Sequence, residues 1–65
     1  MQYVFVIENN QVKDAYEFHV EKGFMVRKEE WVGVVVGEIE EKLKTRFESV
    51  NKIREIGNEM VYEVK

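Results

Sequence analysis

The sequence contains no cysteine, no proline and a single histidine. Without cysteine there is no disulfide, no thiol nucleophile and no thiolate metal site, which excludes a disulfide-rich secreted scaffold. One imidazole cannot build a His-rich metal centre within one chain. No metal and no cofactor are therefore expected. The missing cysteine fits a reducing cytoplasm and equally fits a thermophile. No apolar run approaches the roughly 18 residues that cross a bilayer, and the opening MQYVFVIE has no basic start and is interrupted by Glu8. Neither a membrane segment nor a signal peptide is expected, and a cytoplasmic location follows as the expectation. With no linker, repeat or low-complexity stretch, residues 1–65 read as a single domain.

Clustered positive charge is also lacking. The chain has 13 acidic against 10 basic residues, for a formal charge of -3. Lys13, Lys22, Arg27, Lys28, Lys42, Lys44, Arg46, Lys52 and Arg54 are spread along the sequence. A nucleic-acid domain usually carries a basic stripe, so direct binding of DNA or RNA is disfavoured. Acidic surfaces of this kind are either simply solvated or are presented to a basic protein surface.

A chain this short hides only about 60% of the surface that its unfolded form exposes. Small scaffolds offset that deficit with disulfides, a metal or oligomerisation. The first two have no residues to carry them here, so self-association is expected.

Periodicity gives an α+β fold. Gln2–Glu8 reads as a strand rich in aromatic and β-branched residues, with Tyr3, Phe5 and Ile7 on one face and Val4 and Val6 on the other. Strands apolar on both sides are usually covered on both sides. One helix covers one face of a small sheet, which again points to a subunit contact. Asn9 and Asn10 suit a tight turn because Asn tolerates positive φ. That turn pairs Ile7 with Val12 and Tyr3 with Tyr16 but sets Phe5 against Asp14, a misfit that predicts a bulge near Lys13–Asp14. In AYEFHVEKGF, Tyr16, Phe18 and Val20 form an apolar face that alternates with Glu17, His19 and Glu21. That apolar face overhangs the first strand and needs a neighbour from the C-terminal strands or a second copy.

From residue 29 the period lengthens. Trp31, Val35, Ile39, Leu43, Phe47 and Val50 recur at spacings of four and three, which predicts a helix over about 29–49 with Glu29 and Glu30 at its positive end. The pairs Glu38–Lys42 and Glu40–Lys44 support it. WVGVVVG is a poor helix on propensity, and a strand over 31–36 with the helix beginning after Gly37 is the alternative. Gly33 and Gly37 have the spacing of close helix packing, though small residues where a helix crosses a sheet is the plainer reading. Gly57 and Asn58 predict a C-terminal hairpin that sets Ile53 against Tyr62 and Lys52 against Glu63, in competition with a helix prolonged to Ile56 and capped by Gly57. The fold expected is a small antiparallel sheet, made of an N-terminal and a C-terminal hairpin, packed with one α-helix and dimeric.

Catalytic constellations are thin. Ser49 and Thr45 sit beside charged residues without the turn that presents a nucleophilic serine. The glycines make no phosphate loop. Glu17 and Glu21 lack any sign of an apolar pocket that would tune them for acid–base work. A binding protein, not an enzyme, is the expected class. Candidate partner-binding residues are Tyr16, Glu17 and His19 on the second strand, Glu29, Glu30 and Trp31 at the helix start, and Val35 on its apolar stripe. Each has a plainer role as well: His19 as a half-exposed strand residue, Trp31 as a core anchor.

The order Tyr16–Glu17–Phe18–His19, followed by Gly23 and then by Glu30 and Trp31 at a helix start, resembles the small uracil-DNA glycosylase inhibitor family of short-tailed Bacillus phages. The family strand runs Tyr-Glu-Tyr-His, and an acidic residue precedes an aromatic at its helix. The likeness spans about residues 3–50. The segment between His19 and Trp31 is longer here, the family aromatic is Phe, and Val32 stands where the family has Glu. The resemblance implies a phage-encoded homodimeric DNA mimic acting in the host cytoplasm. In that scheme carboxylates stand where phosphates would, and an apolar pocket between subunits takes the loop that the glycosylase inserts into DNA. Glu17 and His19 would flank that pocket, Trp31 would line it or the subunit contact, and Glu29 or Glu30 would replace the missing glutamate.

Three expectations follow. The first is a non-enzymatic inhibitor of a DNA-acting host enzyme, with uracil-DNA glycosylase as the named target. The second is a homodimeric structural or regulatory interaction module with no enzyme target. The third, a nucleic-acid-binding β-ribbon, is held low by the charge. Acidic side chains in one band favour the first, an even mixture of signs the second.

Overall fold

A computed structural model describes all residues, 1–65. It contains β1 (Gln2–Glu8), β2 (Gln11–His19), β3 (Phe24–Arg27), 3-10 turns at Glu29–Trp31 and Val36–Glu38, helix α1 (Ile39–Lys44), β4 (Val50–Ile56) and β5 (Glu59–Val64). The strands form one antiparallel sheet in the order β3-β2-β1-β5-β4. The α+β fold with N-terminal and C-terminal hairpins and one helix is as the periodicity predicts.

The first hairpin turns at Asn9 and Asn10, whose φ angles of 53° and 64° are the left-handed pair that a two-residue turn needs to follow the strand twist. Ile7 pairs with Val12, Val6 with Asp14, and Lys13 is the extra residue of a bulge. The bulge resolves the Phe5–Asp14 misfit by advancing β2 one residue, so Phe5 meets Ala15. Tyr3 consequently faces Glu17 rather than Tyr16. In the second hairpin, Gly57 takes the positive φ of 59° and a shift between Lys52 and Arg54 sets Lys52 against Tyr62 and Asn51 against Glu63. Ile53 is the bulged residue. Within the chain the neighbour of β2 is β3 and not the C-terminal strands: β3 pairs from Tyr16↔Arg27 to His19↔Phe24.

The long helix does not form. Gly33 sits at a φ of 93°, outside any right-handed helix, and the backbone around it bonds to β2 instead. Gly33 N–H donates to Val12 O, Val12 N–H to Val34 O, and Val36 N–H to Asn10 O. Nor are residues 31–36 a strand: Val35 makes a single bridge to Gln11. Gly33 and Gly37 therefore share no helix face. Only Ile39–Lys44 is α-helical, with Ile39 and Leu43 buried one turn apart, and Glu38 and Lys42 form no ion pair, nor do Glu40 and Lys44.

The core lies between one face of the sheet and the 29–47 segment. Tyr3, Phe5, Val12, Ala15, Met60, Tyr62 and Val64 meet Trp31, Ile39 and Leu43 there. Phe5 and Trp31 lie 5.0 Å apart between ring centroids, with Tyr3 5.8 Å from Trp31 and 5.6 Å from Phe47. Tilted and edge-on rings of this kind add to burial itself. Arg46 lies over the outer side of the indole, 5.4 Å from its centre.

Candidate functional site

The structure divides the predicted site residues between two surfaces. Glu17 and His19 fall on the covered side of the sheet, because the β2 bulge places Glu17 opposite the core residue Tyr3. Tyr16 and Phe18 fall on the other side. The predicted roles of the two faces of β2 are thus exchanged, since the helix segment lands on the Glu17 side. Val20 lies beyond the end of β2 and is 51% exposed.

Glu17 is the centre of a closed cluster. Tyr3 Oη donates to its Oε2 at 2.8 Å, and His19 Nε2 lies 2.7 Å from its Oε1. An ionised carboxylate only accepts, so Nε2 carries the proton. Lys28 Nζ stands 3.8 Å from Oε2, and the His19 ring stacks on Phe24 at 4.5 Å. Burial alone would raise the Glu17 carboxyl, but the bonds from Tyr3 and His19, followed by the Lys28 charge, outweigh it and hold Glu17 below the ordinary glutamate value. Burial, then the Glu17 bond, pushes the Tyr3 phenol well above its ordinary range. The cluster ties β1, β2 and the end of β3 together. Its carboxylate has its oxygens engaged within the chain.

The other acidic candidates are paired too. Glu29 lies 3.4 Å from Arg27, and Glu30 3.6 Å from Arg46. Asp14 accepts from Arg27 at 2.7 Å. Trp31 is 1% exposed and enclosed by its own chain, which assigns it to the core and not to a surface pocket. Val35 is 39% exposed beside its bridge to Gln11. Glu29 and Glu30 are neighbours, Glu17 and His19 touch, and Tyr16 is on the far face from all of them. Asp14, Glu29 and Glu30 thus each have a basic partner within their own chain. No group of three or more His, Asp or Glu side chains is placed to hold a metal ion.

Compared with protein-family models, curated proteins and solved structures, the chain matches none.

A second apolar surface is the face of the sheet opposite the core. Val4, Val6, Tyr16, Phe18 and Val61 form its middle, and Met25, Ile53 and Ile56 stand at 51%, 51% and 69% exposure toward its margins. No segment of the chain crosses it. A groove of about 390 Å³ runs over it, lined by Val4, Phe18, Met25, Ile53 and Val61 with Arg54 and Glu59 among the polar lining. The edges beside it are guarded: β3 is only four residues long, and β4 carries Lys52, Arg54 and the bulge. Such features discourage strand-to-strand pairing and leave the face as the surface open to contact. Sequence reading missed Met25, Ile53, Arg54 and Val61. The signal available was the two-sided apolar β1, whose Val4 and Val6 lie at the middle of this face.

Proposed function

We propose that this chain is a non-enzymatic interaction module whose working surface is the uncovered face of its sheet, where it docks the apolar surface of another folded protein chain. The observation that carries this reading is the groove over Val4, Phe18 and Val61, flanked by Met25 and Ile53, each 51% exposed. An apolar middle with a polar rim is the anatomy of a protein interface. A nucleic acid would require several unpaired cations, and among the residues lining the groove Arg54 is the one cation. The paired acids and bases elsewhere fit an ordinary solvated exterior.

The test uses a tagged copy expressed alongside an untagged one, with retained proteins identified by mass and the untagged chain counted among them. A near-stoichiometric protein held by the wild type and lost with Ile53→Glu or Phe18→Glu supports the reading. The same set on every bait, or nothing on any, sinks it. The family resemblance supports a competing proposal, the glycosylase inhibitor acting as a DNA mimic. Uracil excision in low salt with excess protein tests it. Inhibition abolished by Glu29→Gln with Glu30→Gln, but kept by Ile53→Glu, would replace the module with the inhibitor.

A further inference from the structure

We infer that the occupant of the uncovered face is a second copy of this chain, packed face to face about a two-fold axis that sets Arg54 of each copy against Glu59 of the other. The inference rests on the uncovered face being the working surface.

Charge is the first argument. Arg54, Glu59 and Glu63 lie on this side of the sheet, by their pairing with Val61, Val6 and Gln2. None of the three has an ion-pair partner within its own chain. Of the other charges of the face, Asp14 and Arg27 satisfy each other at 2.7 Å, and Glu8 lies 3.4 Å from Lys13. Turned over by a two-fold axis, such a patch can set its unpaired cation against one anion of its copy, here Glu59, while Glu63 comes over the Asp14–Arg27 pair. Each copy then offers the anion that the cation of the other lacks.

The register supplies the geometry. Arg54 pairs with Val61 and Ile56 with Glu59, so Arg54 and Glu59 are diagonal neighbours across β4 and β5, about 7–8 Å apart. The in-plane line that bisects this diagonal runs obliquely back across the sheet. With strands spaced about 4.8 Å and residues rising about 3.4 Å, it passes over Val4 on β1 and then over Phe18 on β2. Those are two of the apolar residues that line the groove. A two-fold axis on that line satisfies Arg54 and Glu59 in both copies and lays each apolar floor on its counterpart.

Area is the third argument. Five strands of about six residues present a face of roughly 24 by 20 Å in projection, and its accessible area is larger because the side chains stand up from it. A specific interface needs about 600–800 Å² per partner. The projection alone, roughly 480 Å², falls somewhat short of that scale before the relief of the side chains is added, and a 65-residue chain gains from this face the second covered layer that its own single helix cannot supply.

Sedimentation equilibrium of the purified protein, from about 1 to 100 µM, should show a dimer within that range. Arg54→Glu and Glu59→Arg should each raise the dissociation constant about tenfold or more, because each sets like charges together in both halves of the interface. The double variant restores opposite charges and should return to within about threefold of wild type, the signature of a direct pair. Arg54 is exposed and Glu59 half-buried, and circular dichroism checks that each variant is folded. A monomer at every concentration overturns the inference, as does a dimer indifferent to the single reversals, or reversals whose penalties add in the double variant. If the wild type is monomeric yet retains another protein through Ile53 and Phe18, the second copy is excluded and the module stands. If it is monomeric and retains nothing, both fall.

Discussion

Glu17→Gln separates the structure from the sequence-based expectation most sharply. A strand carboxylate turned toward solvent is worth little to stability, and its neutralisation would be silent in a melt. In the structure the side chain is only 15% exposed and accepts from Tyr3 at 2.8 Å and from His19 at 2.7 Å. Glutamine keeps one carbonyl acceptor but replaces the other oxygen with an NH2 donor. One of these two bonds therefore loses its acceptor, and the other loses its charge. Hydrogen bonds to a charged group contribute about 1.5–3 kcal/mol and a neutral one about 1, so the loss should be about 1–3 kcal/mol. For a domain of this size each kcal/mol moves the melting point by about 4–8 °C.

The pH dependence gives a second readout. Glu17 is depressed in the folded state, so its contribution is fully present above the unfolded glutamate value of about 4.3. It is lost as pH falls through the lower folded value. The difference in stability between wild type and Glu17→Gln should be smaller at pH 3 than at pH 7. Urea melts at pH 7 and pH 3 measure it. An unchanged midpoint at pH 7, or a gap at pH 3 larger than at pH 7, would refute the cluster as described.

Trp31→Ala should remove about 3–5 kcal/mol, because the indole is enclosed by Tyr3, Phe5 and the Arg46 side chain. A domain of this length has only about 3–10 kcal/mol in all, so heat capacity scans should show little or no transition. Replacing Asn10 by Val forces a β-branched residue to a φ of 64° and should cost about 1–2 kcal/mol, whereas Gly should be tolerated; chemical denaturation compares the two. Two of the three tyrosines should ionise only above the ordinary phenol range in an absorbance titration. Tyr3 is raised by burial and then by Glu17, Tyr62 by burial and then by Glu40. Their raised values stabilise the fold fully below about pH 10, and that contribution declines as pH climbs toward the folded values, so unfolding in base should set in above pH 10.

Local chemistry was legible in the sequence wherever a short stretch decides it. Alternation over Gln2–Glu8 marks a strand, Asn9–Asn10 and Gly57–Asn58 mark turns that require positive φ, and the Phe5–Asp14 conflict marks the Lys13 bulge. Each rests on the φ/ψ preferences and period of a few adjacent residues. The α+β class follows from those elements and from the Ile39–Leu43 spacing.

What lies on which side of the sheet was settled only in three dimensions. A strand pattern distinguishes two faces but does not say which one the rest of the chain will cover, and one residue of bulge exchanges them. Glu17 and His19 therefore read as a wet face while they sit over Tyr3 and Phe24, and Tyr16 and Phe18 read as core while they lie on the open side. The helix over 29–49 failed for a related reason. Its apolar spacing is real, and Trp31, Ile39 and Leu43 do reach the core. Yet the backbone of 33–36 finds its partners on β2, a contact between segments some twenty residues apart that no local propensity encodes.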